Sequence, residues 1–188
     1  LEESPESGNQ IQESSPKPVV EAKYETILDE KLLVQWVKKL TNSKTFSFDT
    51  ETTSLDYMEA ELVGISFGIE PGIAAYIPIG HVKGDNQKDQ LPLDKVLREI
   101  KPLLESKDRV KVGQNLKYDI NILANYGINV SPPYVDTMLQ SYVVNSVATR
   151  HNMDDMARHY LGRDTIHFED VAGKGAKQIL FSEVSIGV

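Results

Sequence analysis

Between Thr45 and Ile79 the chain writes three β-strands with no room for a full helix between the last two, and this run constrains the fold more than any other feature. Thr45-Phe46-Ser47-Phe48-Asp49 alternates polar and apolar residues with the two-residue period of a half-buried strand. Leu62–Ile69 and Ala74–Ile79 are two further strands, joined by the turn signal Glu70-Pro71-Gly72. Pro78 fits a strand end or a sheet edge, because it cannot donate to a ladder. Upstream, Asp29 is placed to cap a helix whose apolar residues Leu32, Leu33, Trp36, Val37 and Leu40 recur at helical spacing. Downstream, a polar loop over 80–92 leads to a helix from Leu93 to Leu104 and a short strand, Arg109–Val112. Helices over 115–126, 136–145 and 152–161 follow, with Gly127 and Gly162 as stops. Hairpin-linked strands followed by a strand reached through a helix imply an α/β fold with a mixed sheet.

The chain of 188 residues is long enough to bury a core without staples, and it has no cysteine. Disulfides, thiolate zinc sites and cysteine nucleophiles are therefore excluded. No apolar run approaches the ~18 residues of a membrane span. Residues 1–22, rich in Ser, Pro, Glu and Gln, read as a disordered linker ahead of a domain over 23–188. The absence of a starting methionine leads us to expect a piece of a longer protein. The net charge of -8 is concentrated at the front, where residues 1–30 alone carry -6. The folded part is thus close to neutral, and the acidity is no argument against a nucleic-acid partner.

Two segments look chemical. Asp49 and Glu51, two apart in a strand, point to one face at the end of an apolar run, where two like charges are costly unless a cation neutralises them. A hard divalent ion such as Mg²⁺ favours such oxygens. The alternative is a strand-end turn with solvated acids. In Gly113-Gln114-Asn115-Leu116-Lys117-Tyr118-Asp119 the chain leaves the fourth strand for a helix. Leu116, Ile120 and Leu123 would form its core stripe, with Asn115 and Asp119 sharing an adjacent edge. An acid in a first helical turn also suits the helix dipole.

Phe48-Asp49-Thr50-Glu51-Thr52 and Gly113–Asp119 resemble the first two motifs of the DEDD 3′–5′ exonucleases. Leu123-Ala124-Asn125-Tyr126-Gly127, Asp136-Thr137-Met138-Leu139 and Ala172-Gly173-Lys174-Gly175 are similar to the proofreading domain of bacterial family A DNA polymerase I. The resemblance covers roughly residues 24–188. It implies a ribonuclease H-like mixed β-sheet flanked by helices, and two-metal phosphodiester hydrolysis with Mg²⁺, Mn²⁺ or Zn²⁺. By resemblance Asp49 bridges both ions, Glu51 binds the first and orients the attacking water, and Asp119 serves the second. Leu55 wedges against the terminal base, Phe168 stacks on it, Asn115 and Arg150 contact the single strand, and Thr50 and Tyr118 line the substrate site. Without the resemblance, Phe168 reads as a core aromatic and Arg150 as a surface cation. The implied partners are a single-stranded 3′ end of DNA and the polymerase and 5′-nuclease domains of one parent chain. The implied setting is a cytoplasmic, nucleoid-associated monomer with no membrane contact.

The pattern departs from the family at its fourth carboxylate, an Asp four residues after a catalytic Tyr and downstream of Gly173-Lys174-Gly175. No such pair follows that segment. We therefore expect incomplete metal binding and little activity in this chain by itself. Upstream, Tyr160/Asp164 and His159/Asp164 have suitable spacings but run across Gly162, a helix stop. His81, His151 and His167 share no metal-ligand spacing and read as loop or surface residues. Ala172–Lys177 lacks the Walker A pattern and reads as a loop that brushes phosphate. Asp136 reads as a helix cap rather than a ligand. The rival readings are a ribonuclease D-like RNA 3′ exonuclease and a non-catalytic scaffold that binds single strands.

Overall fold

The structure is a computed structural model that describes residues 22–82 and 89–187. The expected linker over 1–22 therefore lies outside the described residues except for Ala22. Six strands form one mixed sheet in the order β1-β4-β3-β2-β5-β6. They are β1 (Lys23–Thr26), β2 (Thr45–Thr52), β3 (Leu62–Glu70), β4 (Ile73–Pro78), β5 (Val110–Gly113) and β6 (Tyr134–Asp136). β2 is central: it runs antiparallel to β3 and parallel to β5.

Helices α1 (Glu30–Asn42) and α2 (Leu93–Leu104) pack together and supply much of the core. Asp29 caps α1 as expected, its carboxylate accepting from the Leu32 amide at 2.8 Å. The buried α1 residues Leu33, Trp36 and Leu40 meet Phe46 and Phe48 of β2, Ile65 and Phe67 of β3, and Val96, Ile100 and Leu104 of α2. The Trp36 indole N–H donates to Glu25 at 2.8 Å, which fastens β1 to α1.

Two strands escape sequence reading. β1 has four exposed residues and no alternation, and β6 is three residues long. The helices after β5 are α3 (Lys117–Asn125), α4 (Thr137–Val144), α5 (Met153–Met156) and α6 (Phe168–Ala172). The helix expected over 115–126 begins later, because Asn115 sits at φ 56, a left-handed conformation that Asn tolerates. Asn115 and Asp119 therefore do not share a helix edge. The helix expected over 152–161 is α5 running into a π-helical turn, Ala157–Leu161, which Gly162 ends at φ 63. Of the histidines read as loop or surface residues, His81 and His151 lie in loops but are buried, 4% and 8% exposed. Each is held by backbone carbonyl and hydroxyl partners, whereas His167 is at the surface as read.

Candidate active site

The site forms where β2 outruns β5. Their pairing stops at Ser47 and Val112, and β2 continues to Thr52 with its edge on that side uncovered. Phe46, Phe48 and Thr50 are buried on one face, so the two-residue period sends Asp49 and Glu51 to the other. α3 swings across the vacated edge. Asp119 accepts the Thr50 backbone N–H at 2.8 Å and the Thr50 hydroxyl at 2.6 Å. A ladder position that β5 leaves empty is thus filled by a carboxylate.

The turn from β5 into α3 is tightly determined. Gly113 has no room for a Cβ, which would meet the Leu116 side chain and the Phe48 carbonyl. Asp136 then acts twice. One carboxylate oxygen caps α4 through the Met138 amide at 2.9 Å and also accepts from Asn115, and the other accepts the Leu116 amide at 2.9 Å. The expectation that Asp136 caps a helix is met, and the same side chain pins the entry to the helix bearing Asp119.

The three carboxylates oppose one another. Burial, and then the charge of Asp119, push Asp49 from its ordinary 3.8 up to about 7. Burial, then Asp49 and Asp119, raise Glu51 to about 7. Asp119 is raised by burial, against the lowering effect of its two Thr50 hydrogen bonds. Among the described residues, no Lys or Arg contributes to these shifts. Among the described residues, no group of three or more His, Cys, Asp or Glu side chains closes into a ready-made metal cage. The donor set nevertheless suits a hard divalent ion: it is all oxygen, mutually repelling and partly desolvated.

Beside the carboxylates lies a groove of about 610 Å³ whose lining includes Thr50, Glu51, Leu55, Tyr118 and Phe168. Leu55 is 94% exposed at the tip of the loop after β2. That loop is held by Tyr118, whose hydroxyl donates to the Ser54 carbonyl at 2.5 Å. Phe168, at the start of α6, is 45% exposed and stacks on Phe181 with ring centroids 6.3 Å apart. It is therefore not the core aromatic that it would be taken for in isolation.

A sequence profile of the 3′–5′ exonucleases matches residues 24–185. The chain belongs to the 3′–5′ exonuclease family. DNA polymerase I of Pseudomonas aeruginosa is 47% identical over 188 residues, covering 99% of this chain and 20% of that protein. DNA polymerase I of Rhizobium leguminosarum is 38% identical, covering 90% of this chain and 18% of that protein. The exonuclease domain thus spans about a fifth of the length of these relatives. Among solved structures, RNase D of Escherichia coli has a TM-score of 0.58 at 15% identity, covering 77% of this chain and 35% of that one. That likeness confirms the ribonuclease H-like fold.

Of the residues singled out from sequence, the exonuclease domain brings Asp49, Glu51 and Asp119 together and gathers Thr50, Leu55, Tyr118 and Phe168 around them. Asn115 and Arg150 are exposed and do not line the groove. The upstream stand-ins for a fourth carboxylate are engaged elsewhere. The Tyr160 hydroxyl lies 3.4 Å from Ser141, and Asp164 pairs with Arg158 at 3.3 Å. Sequence reasoning missed Leu180 and Phe181, which also line the groove. Their segment is a 3₁₀ turn with no periodicity to mark it. No helix among the described residues is long and apolar enough to cross a membrane.

Proposed function

We propose that this domain removes the 3′-terminal nucleotide of DNA by metal-dependent hydrolysis, as the proofreading part of a cytoplasmic DNA polymerase I. The observation that carries the reading is the cluster of three mutually repelling carboxylates beside a groove edged by Leu55 and Phe168. Asp49 would hold both ions, Glu51 the first and Asp119 the second. When bound, divalent ions held there would supply activation of a water and stabilisation of charge on the leaving 3′ oxygen.

The remaining work falls to the chain. Leu55 wedges the terminal base away from its neighbour, and Phe168 offers a ring face to it, as any base accepts. Tyr118 fixes the loop that presents Leu55. Thr50 holds Asp119 in register with Asp49. Asn115 and Arg150 steer the single strand, Arg150 by pairing with phosphate. Glu51 orients the water whose oxygen bonds to phosphorus as the bond from phosphorus to the 3′ oxygen breaks. The products are a nucleoside 5′-monophosphate and a new 3′ hydroxyl. The polymerase and 5′-nuclease domains of the same chain are the proposed partners.

The described residues bring three carboxylates to this cluster, where the resemblance calls for four and a tyrosine beside Glu51. We infer that this chain alone binds metal weakly and turns over slowly, since a nucleophile misplaced by about 1 Å can cost on the order of 10²-fold. The test is digestion of 5′-labelled single strands of DNA and RNA with Mg²⁺, Mn²⁺ or EDTA, by this chain and by a full-length polymerase carrying it. Metal-dependent trimming of DNA by the polymerase, abolished by Asp49→Ala with polymerisation intact, is expected. Trimming that survives EDTA or Asp49→Ala would refute the site. A preference for RNA would transfer it to the ribonuclease D-like reading.

A further inference from the structure

Behind Glu51 lies a pair of polar side chains that the reading above does not use. Glu51 stands directly opposite Gly64 in the β2/β3 ladder, so the two Cα atoms are about 4.5–5.5 Å apart and their outward directions share a face. Gly64 has no side chain, and the space is filled by Tyr76 of β4, whose hydroxyl sits where a Cβ of residue 64 would be. The hydroxyl is thus delivered to the face that carries Glu51. The Glu51 charge is near enough to oppose ionisation of Tyr76, yet no hydrogen bond joins them.

The hydroxyl goes elsewhere. Tyr76 Oη lies 2.7 Å from Nε2 of His81. The other ring nitrogen of His81, Nδ1, lies 2.9 Å from the carbonyl of Val184. A carbonyl only accepts, so Nδ1 carries the proton. Burial favours the neutral ring, which leaves Nε2 as an acceptor and Tyr76 as the donor. The proton of Tyr76 is therefore turned away from Glu51. His81 is 4% exposed, packed against Phe181, and its backbone exchanges two 2.8 Å hydrogen bonds with the Gln90 amide.

We propose that Tyr76 and His81 are positioning residues of the exonuclease site: His81 holds the Tyr76 hydroxyl proton away from Glu51 and keeps that carboxylate open to a cation and to water. The proposal rests on the reading of Glu51 as a metal ligand. Without His81 the hydroxyl would turn and donate to Glu51, a charge-assisted bond that competes with a cation for the same oxygen. The same histidine ties the segment bearing Phe181, on which Phe168 stacks, to the sheet.

The experiment uses the full 188-residue chain. Nitrogen-15 NMR of the metal-free protein should show a neutral His81 protonated at Nδ1. An Nε2-protonated or doubly protonated ring would overturn the proposal with no variant needed. Mn²⁺ titration should then show His81→Leu binding roughly tenfold more weakly, the scale of one hydrogen bond to a charged group. Adding Tyr76→Phe, which removes the hydroxyl, should recover most of that loss, whereas a merely structural histidine would leave the double variant as weak as the single or weaker. Unchanged binding by His81→Leu, or no recovery in the double variant, overturns the proposal. If the unsubstituted chain binds no Mn²⁺, the reading of the carboxylates fails first and the proposal falls with it.

Discussion

Replacing Asp49 by Asn should make the metal-free domain more stable, by a margin that opens as pH rises past 3.8 and is complete above about 7. The folded chain raises Asp49 from its ordinary 3.8 to about 7 through burial and the charge of Asp119. Each pH unit is about 1.4 kcal/mol, so the ionised form costs at most ~4 kcal/mol. Part of that repulsion is also counted in the rise of Glu51, and Asp49 keeps some solvent access, so we expect ~2–3 kcal/mol. The sign follows from proton counting. Between pH 3.8 and about 7 the folded chain holds a proton that the unfolded chain has released, so stability falls across that window and levels off above it. Asn has no proton to lose and escapes the fall. Thermal melts in EDTA should show Asp49→Asn equal to the unsubstituted chain near pH 4 and higher by roughly 5–10 °C at pH 8, at about 2–4 °C per kcal/mol for a domain of this size. Saturating Mg²⁺ should narrow the gap at pH 8, because only the unsubstituted site gains fully from the ion. A variant that melts lower at pH 8, or an offset that does not change with pH, would refute the claim that the cluster is held together against its own charge.

Thr50→Val keeps the backbone bond to Asp119 but deletes the 2.6 Å hydroxyl bond. Urea unfolding at pH 8 should show a loss of about 1.5–3 kcal/mol, the range for hydrogen bonds to charged groups. A loss near zero would mean that the backbone N–H alone holds the helix. Gly64→Ala would drive a methyl into the Tyr76 hydroxyl that His81 restrains, so unfolding should become easier by about 1–3 kcal/mol. An unchanged midpoint would show that Tyr76 moves freely. Phe168→Ala should weaken binding of a fluorescent single strand about tenfold or more, the scale of base stacking on an aromatic ring. Because the ring is 45% exposed, the melting temperature should hardly move, and a large drop would make Phe168 a core residue instead.

What could be read from sequence was whatever one segment determines by itself. The alternation of Phe46 and Phe48 with polar neighbours fixes a strand, and the same period puts Asp49 and Glu51 together on its other face. Asp29 and Asp136 are legible as caps because a cap needs only the first amides of its own helix. The closing of the site depends on distant pairs. Thr50 meets Asp119 across 69 residues, and His81 meets Val184 across 103. Nothing within either segment marks the partner, so Asp119 could be placed only by its resemblance to a family, and the burial of the loop residue His81 was not legible. Spacing alone would mislead at Tyr160 and Asp164, a pair that Gly162 between them already discounts. A π-helical turn and Gly162 change the angular step between them, and their side chains go to Ser141 and Arg158 instead of to the cluster. The carboxylates therefore combine both kinds of information: local period aims Asp49 and Glu51, and a long-range gap in the sheet, the edge that β5 leaves bare, admits the third charge that makes the cluster unstable without a cation.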